Sequence, residues 1–216
     1  MNGAEPPRIV AAVGGEAERA AAIAAGEQLS AAVAAVLGAA WPIRLRPIAL
    51  DEPDIPPGIV LIAAPLADLA AAEPVDAAEA RWTARIARYR AAGHDRILIC
   101  NLFRGVGASA GVLGGIERIR RLNRMVVGLS HRLGVEIVDV DRLLALCGAR
   151  AFARDPRGSQ AATARAVGHA IADAILQGDM GGSLDATVQA RAGAVHRLRL
   201  DVQGLVERPA ARVAGP

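Results

Sequence analysis

The chain has 216 residues and a mass of 22.2 kDa, enough for one α/β domain with a small appendage and a single core. Hydrophobic residues make up 53% and aromatics only 2%, so Ala, Val, Leu and Ile must fill the core, and nucleic-acid modules built on aromatic stacking are disfavoured. The net charge of +3 rests on arginine alone, with no lysine in the chain, and a balance this small implies no particular partner.

In chain order, Arg8 to Val13 (RIVAAV) reads as a strand, Gly14 and Gly15 as a tight turn, and Glu16 to Leu37 as an Ala-rich helix. Ile43 to Leu50 alternates in polarity but contains Pro47, which donates no ladder hydrogen bond, so this strand belongs at a sheet edge. Ile59 to Ala64 (IVLIAA) is uniformly apolar, as a strand covered on both faces should be. Pro74 to Ala92 carries Trp82, Ile86 and Tyr89 at helical spacing and stops at Gly93; Arg96 to Leu102 (RILICNL) is the fourth strand. A Gly-rich loop over Ser109 to Gly115 precedes a helix from Ile116 to Leu133, whose Arg118, Arg120, Arg121, Arg124 and Arg132 read as a solvated face. Val135 to Val140 is the fifth strand, followed by a short helix at Leu143 to Leu146, a polar loop at Arg154 to Ser159 and a last amphipathic helix from Gln160 to Leu176.

Strands and helices alternating in this way predict parallel βαβ units, hence a three-layer doubly wound α/β sheet of flavodoxin-like order 2-1-3-4-5. Residues 1–177 would form this domain, and 178–216 a flexible or oligomerising tail in which His196 to Val206 fits a helix, a hairpin or an arm on another subunit. Cys100 and Cys147 lie in apolar runs without CxxC spacing, and the start of the chain lacks the charged-then-apolar pattern of a signal peptide. The expected setting is soluble and reducing, a bacterial cytoplasm, with no membrane or nucleic-acid partner.

Ligands of such sheets bind outside the carboxyl ends of the strands. That rule selects Gly14, Gly15 and Glu16, then Asp68, then Asn101 and Arg104, then Asp139 and Asp141, and last Asp155, Arg157 and Ser159. The two glycines at a helix start offer backbone N–H groups to an anion, and Arg104 with Arg157 would clamp a carboxylate or phosphate. Glu16, Asp68 and Asp155 would make a carboxylate cluster for acid–base work or a hard cation, although helix-start acids and caps explain Glu16 and Asp68 equally well. His131 and His169 read most simply as partly exposed helix histidines; no metal or cofactor is expected.

The stretch Arg121 to Leu176, running from RLNRMVVGLSHRLGVEIVDVDRLLALCGA through DPRGSQAATARAVGHAIADAIL, resembles the C-terminal half of SGNH/GDSL hydrolases. IVLIAAPLADL followed by a helix and RILICNL resembles their middle section, so the likeness covers residues 8 to 177. It implies a flavodoxin-like fold and an ester or acyl substrate, but the motifs depart from the family. Val13-Gly14-Gly15-Glu16 has no hydroxyl where the family's Gly-Asp-Ser turn carries its nucleophile. Pro65-Leu66-Ala67-Asp68 stands for Gly-x-Asn-Asp, with Ala67 in place of the oxyanion Asn, and Asp155-Pro156-Arg157-Gly158 stands for Asp-x-x-His, with Gly158 in place of the base. A serine esterase route therefore lacks its parts. The expectation is a degenerate SGNH-like protein that binds a small molecule or a protein partner. The alternative is a hydrolase or acyltransferase with a non-standard site from Asp68, Asn101, Arg104, Asp155, Arg157 and His169.

Overall fold

The computed structural model describes residues 8–41, 43–105, 115–148, 152, 160–178, 180 and 182–202. In chain order these give β1 (Arg8–Val13), α1 (Glu16–Leu37), β2 (Arg44–Ala49), β3 (Val60–Ala63), α2 (Leu66–Leu69), α3 (Val75–Ala91), β4 (Arg96–Cys100), α4 (Gly115–Leu133), β5 (Glu136–Val138), α5 (Val140–Leu146), α6 (Ala161–Gln177) and α7 (Ala186–Val202). The five strands form one parallel sheet in the order β2-β1-β3-β4-β5, with Ile9 opposite Val60, Val60 opposite Arg96 and Ile99 opposite Ile137. Pro47 lies on β2 opposite Ala11, and among the described residues β2 pairs only with β1, the edge position at which a residue without a backbone N–H is tolerated.

Alternation along the central strands divides the core. Ile9, Val60, Ile62, Leu98 and Cys100 point to the face covered by α1, α5 and α6, and Val10, Leu61, Ala63, Ile97 and Ile99 to the face covered by α3 and α4. All residues of β3 and β4 are buried, which accounts for their lack of polar alternation. α1 is long and apolar enough to cross a membrane by length and composition, but here Ala21, Ala25, Leu29, Ala32 and Val33 lie in the core. α1 and α6 approach so closely that a Cβ on Gly168 would stand 2.8 Å from Ala24 Cβ and 2.9 Å from the Ala21 carbonyl oxygen.

β5 is shorter than the sequence pattern suggests, because Asp139 leaves the strand to cap α5: its Oδ1 accepts the Arg142 N–H at 3.1 Å. α2, a single turn, was hidden in the sequence by its length. Beyond α6, α7 docks on α1 and α6, and its His196 ring stacks on His169 with centroids 3.8 Å apart. Both rings are buried, so the expectation of a partly exposed His169 is corrected. Gln28 settles the tautomer: its Nε2 donates to the Arg165 carbonyl at 3.0 Å, so its Oε1 accepts from His169 Nδ1 at 3.2 Å. His196 Nε2 donates to the His169 carbonyl at 3.1 Å. Burial, then the neighbouring ring, pushes the His169 pKa down to about 4, so the pair is neutral at pH 7.

At the amino ends of the strands, Arg96 is buried beneath the end of α6. It makes a two-pronged contact with Glu136, both bonds 2.8 Å, and donates to the carbonyls of Ala174 and Ile175 at 2.8 and 3.1 Å. Gly178 makes room for it, since a Cβ there would overlap the guanidinium.

Candidate functional site

At the carboxyl ends of β1, β3 and β4 the chain encloses a cavity of about 100 Å³ that opens toward solvent. Its floor is Ala12, Val13, Ala63 and Cys100; α1 contributes Ala17, Ala21 and Ala22, and α6 contributes Ala164, Val167 and Ile171. Leu66, Leu69, Leu144 and Phe152 complete an almost wholly apolar wall. This is the place where an open parallel sheet puts its ligand, because β1 and β3 send their connections to opposite faces there.

Glu18 is the one ionisable carboxyl on this wall among the described residues. It occupies the third position of α1 and folds back toward the turn after β1, so that its Oε2 accepts the Gly14 N–H. The N–H groups of Leu66 and Gly15 also favour its ionised form, while Oε1 is buried and accepts no bond of normal geometry. Burial outweighs these donors, and the nearby charge of Asp68 adds to it, so the Glu18 pKa is pushed up to about 7. Cys100 on the floor is driven the other way from reactivity: burial, then the Glu18 charge, raises its thiol to about 12.

Beside the cavity lies a closed polar network. Asn101, on the wall, donates from Nδ2 to Asp139 Oδ1 at 2.8 Å, and its Oδ1 accepts the Asp141 N–H at 2.9 Å. Asp141 accepts the backbone N–H of Arg104 at 2.8 Å and its Nε at 2.6 Å. Asn123 on α4 holds the same segment by a reciprocal pair with the Leu102 backbone, both bonds 2.8 Å. These bonds fix the loop after β4 to the start of α5.

The residues selected from the sequence are thus divided. Gly14 and Gly15 form the turn at the cavity, and their N–H groups serve Glu18. Glu16 points to solvent and pairs with Arg19 at 3.6 Å. Asp68 is buried under α3, where its oxygens accept Arg81 Nη2 at 2.5 Å and Trp82 Nε1 at 2.7 Å. Asn101 reaches the cavity, whereas Arg104 is held by Asp141. His169 lies beside Gln28, about 15 Å farther along the axis of α1 than Glu18 at the usual rise per residue. Asp155, Arg157 and Ser159 lie outside the described residues, as does the loop at 109–114. Among the described residues no cluster of three or more His, Cys, Asp or Glu side chains suits a metal ion.

The α4 arginines are only partly a free face. Arg118 donates to the carbonyls of Asp68 and Glu73, and Arg132 to Glu79. Glu18 itself escaped the sequence reading, although the signal was present: it lies on one helical stripe with Ala21, Ala22, Ala25 and Leu29, all buried.

The architecture is that of an open, doubly wound parallel α/β domain with its crevice at the carboxyl ends of the strands. Comparison with protein-family models, with curated proteins and with solved structures gives no match.

Proposed function

We propose that the chain is a degenerate SGNH/GDSL-like protein that binds a small, largely apolar ligand in the cavity at the strand ends, without Ser-His esterase chemistry. The cavity carries this reading: apolar walls enclose a site at the topological switch point, with one carboxyl of shifted pKa at its edge. The sheet order and the helix before and after β5 are those the resemblance implies. No hydroxyl stands at the turn after β1, and the Cys100 thiol is protonated across the physiological range, so neither supplies a nucleophile there.

The test is a titration of the 15N-labelled chain with small neutral hydrocarbons and alcohols, alongside hydrolysis of p-nitrophenyl acetate through decanoate. Amide shifts confined to Ala11 to Val13, Ala63 and Asn101, with no ester turnover, are expected. Absence of shifts there with every probe would overturn the reading.

One observation favours a second reading, an active hydrolase or acyltransferase: Glu18 titrates near neutrality, as a general base should. Ester turnover by the wild type that is lost in Glu18→Gln would establish it.

A further inference from the structure

One side chain on the α6 wall bears on the chemistry of the ligand, given the binding role proposed above. Thr163, Ala164, Val167 and Ile171 recur at helical spacing and line the cavity together, so the Thr163 side chain is turned toward it. Thr163 is only 5% exposed, and a hydroxyl buried to that degree ordinarily has a partner. Among the described residues it has none. The side-chain atoms there that are both sealed from solvent and unmatched are Glu18 Oε1, Arg88 Nε and His94 Nδ1. The Thr163 oxygen is not one of them: it is unmatched without being sealed, and the space it meets is the cavity.

The other polar groups on the wall are occupied. Asn101 donates to Asp139 and accepts from Asp141, and Glu18 is turned onto the N–H groups of Gly14, Gly15 and Leu66. The start of α6 adds a second constraint. Gln160 supplies no side-chain cap, the first turn holds no acidic residue, and the first backbone bond runs from the Ala164 N–H to the Gln160 carbonyl at 3.0 Å. The positive end of this 17-residue helix therefore lies beside Thr163 with no acid of its own first turn to offset it, and it favours an oxygen of partial negative charge. We infer that the site takes a compact neutral carbonyl compound, a ketone being the simplest case, whose oxygen accepts from the Thr163 hydroxyl while its apolar body fills the cavity. A space of about 100 Å³ admits a body of roughly four to six carbons, given that an apolar cavity of about 150 Å³ takes up benzene.

Other ligand chemistries fit less well. A hydrocarbon leaves the hydroxyl unmatched. A carboxylate or phosphate finds no cation, because neither Arg nor His is among the described residues on the wall, and the ionised Glu18 repels it. An ammonium meets walls of alanine, valine and leucine and the positive end of α6. An alcohol accepts from Thr163 but carries a proton of its own, which cannot return to the oxygen that is donating to it and finds no other free acceptor on the wall.

Cyclopentanone and methylenecyclopentane, which share a shape and differ in the acceptor, test this when titrated into the 15N-labelled full chain as wild type, Thr163→Val and Thr163→Ser. Thr163→Val is expected to bind the ketone about fivefold more weakly, the scale of one hydrogen bond between neutral groups, and the hydrocarbon as the wild type does. Thr163→Ser keeps the hydroxyl and should keep the wild-type ratio of the two affinities. Because the hydroxyl has no partner in the free protein, Thr163→Val should melt no lower than the wild type; a lower melting temperature would show a partner within the chain and overturn the inference.

An equal loss for both probes in Thr163→Val, or no loss for the ketone, with shifts at the strand ends, would overturn the inference and leave the binding role standing. No shifts with either probe would overturn both.

Discussion

The face of the sheet under α3 and α4 is filled by large side chains, including the rings of Trp82 and Tyr89, whereas on the opposite face the helices α1, α6 and α7 mix many alanines with their leucines, isoleucines and valines. On the first, Trp82 and Tyr89 are wholly enclosed, and cations fasten the edges: Arg85 grips Asp51 with two 3.0 Å bonds, and Tyr89 Oη and Arg88 both donate to the Leu50 carbonyl. On the second, Ala21, Ala24, Ala25 and Gly168 bring two helix backbones together, and the buried polar groups include Thr163, His169 and His196 beside Arg96 under the end of α6. Glu18 and the helical walls of the cavity belong to this second face, while Ala12, Ala63 and Leu69 reach the cavity from the first. Large rings interlock and leave little space, whereas small side chains pack backbones tightly and leave gaps wherever the helices diverge. A ligand site therefore arises on the alanine side.

The largest effect expected from breaking this contrast is on the aromatic face. Trp82→Ala removes a buried ring and leaves Asp68 Oδ2 without its indole donor, so a loss of about 3 to 5 kcal/mol in urea unfolding is expected. A loss under about 1 kcal/mol would mean that the ring is not what holds α3 to the sheet.

The alanine face should instead show itself in pH dependence, through two groups that act in opposite directions. His169 has a pKa of about 4 in the fold against 6.5 when free, so the unfolded chain takes up the proton first and stability falls as pH drops from about 6.5 to 4. Glu18 is held at about 7 against 4.5, so the native chain keeps its proton and stability falls as pH rises from 4.5 to 7. In the wild type the two trends oppose each other, and the lowered pKa of buried His196 acts in the same direction as that of His169. Glu18→Gln should make stability climb more steeply with pH over 4.5 to 6.5 than in the wild type, and His169→Phe less steeply, each change in tilt amounting to about 2 to 3 kcal/mol. Parallel pH profiles for the two variants would show that neither group is perturbed.

Close helix approach predicts a smaller loss. Gly168→Ala should cost about 1 to 3 kcal/mol, because its methyl would lie under 3 Å from α1 backbone atoms; a neutral outcome would mean that α1 and α6 separate easily. Least affected should be Arg121→Ala on α4, whose 3.6 Å contact with Asp76 is open to water. A change below about 0.5 kcal/mol in the same assay is expected.

The sheet order was legible because each strand signals itself locally: IVLIAA and RILICNL are unbroken apolar runs, and Pro47 marks an edge. Less legible was anything settled by partners distant in sequence. That Asp68 serves Trp82, that Arg104 serves Asp141, and that His169 meets His196 depend on how helices dock, which residue spacing does not encode. Glu16 and Glu18 pose the same difficulty at short range. Two residues apart on a helix, they face nearly opposite ways, and only the stripe of alanines beyond them indicates which one turns inward.

Two of the partners that hold Arg96 are the carbonyl oxygens of Ala174 and Ile175, which take up no proton as the pH falls. The hold of α7 at His196, by contrast, depends on neutral imidazoles. Acid should therefore strip the molecule from the outside inward: α7 detaches first, while the end of α6 remains moored to β4 and β5.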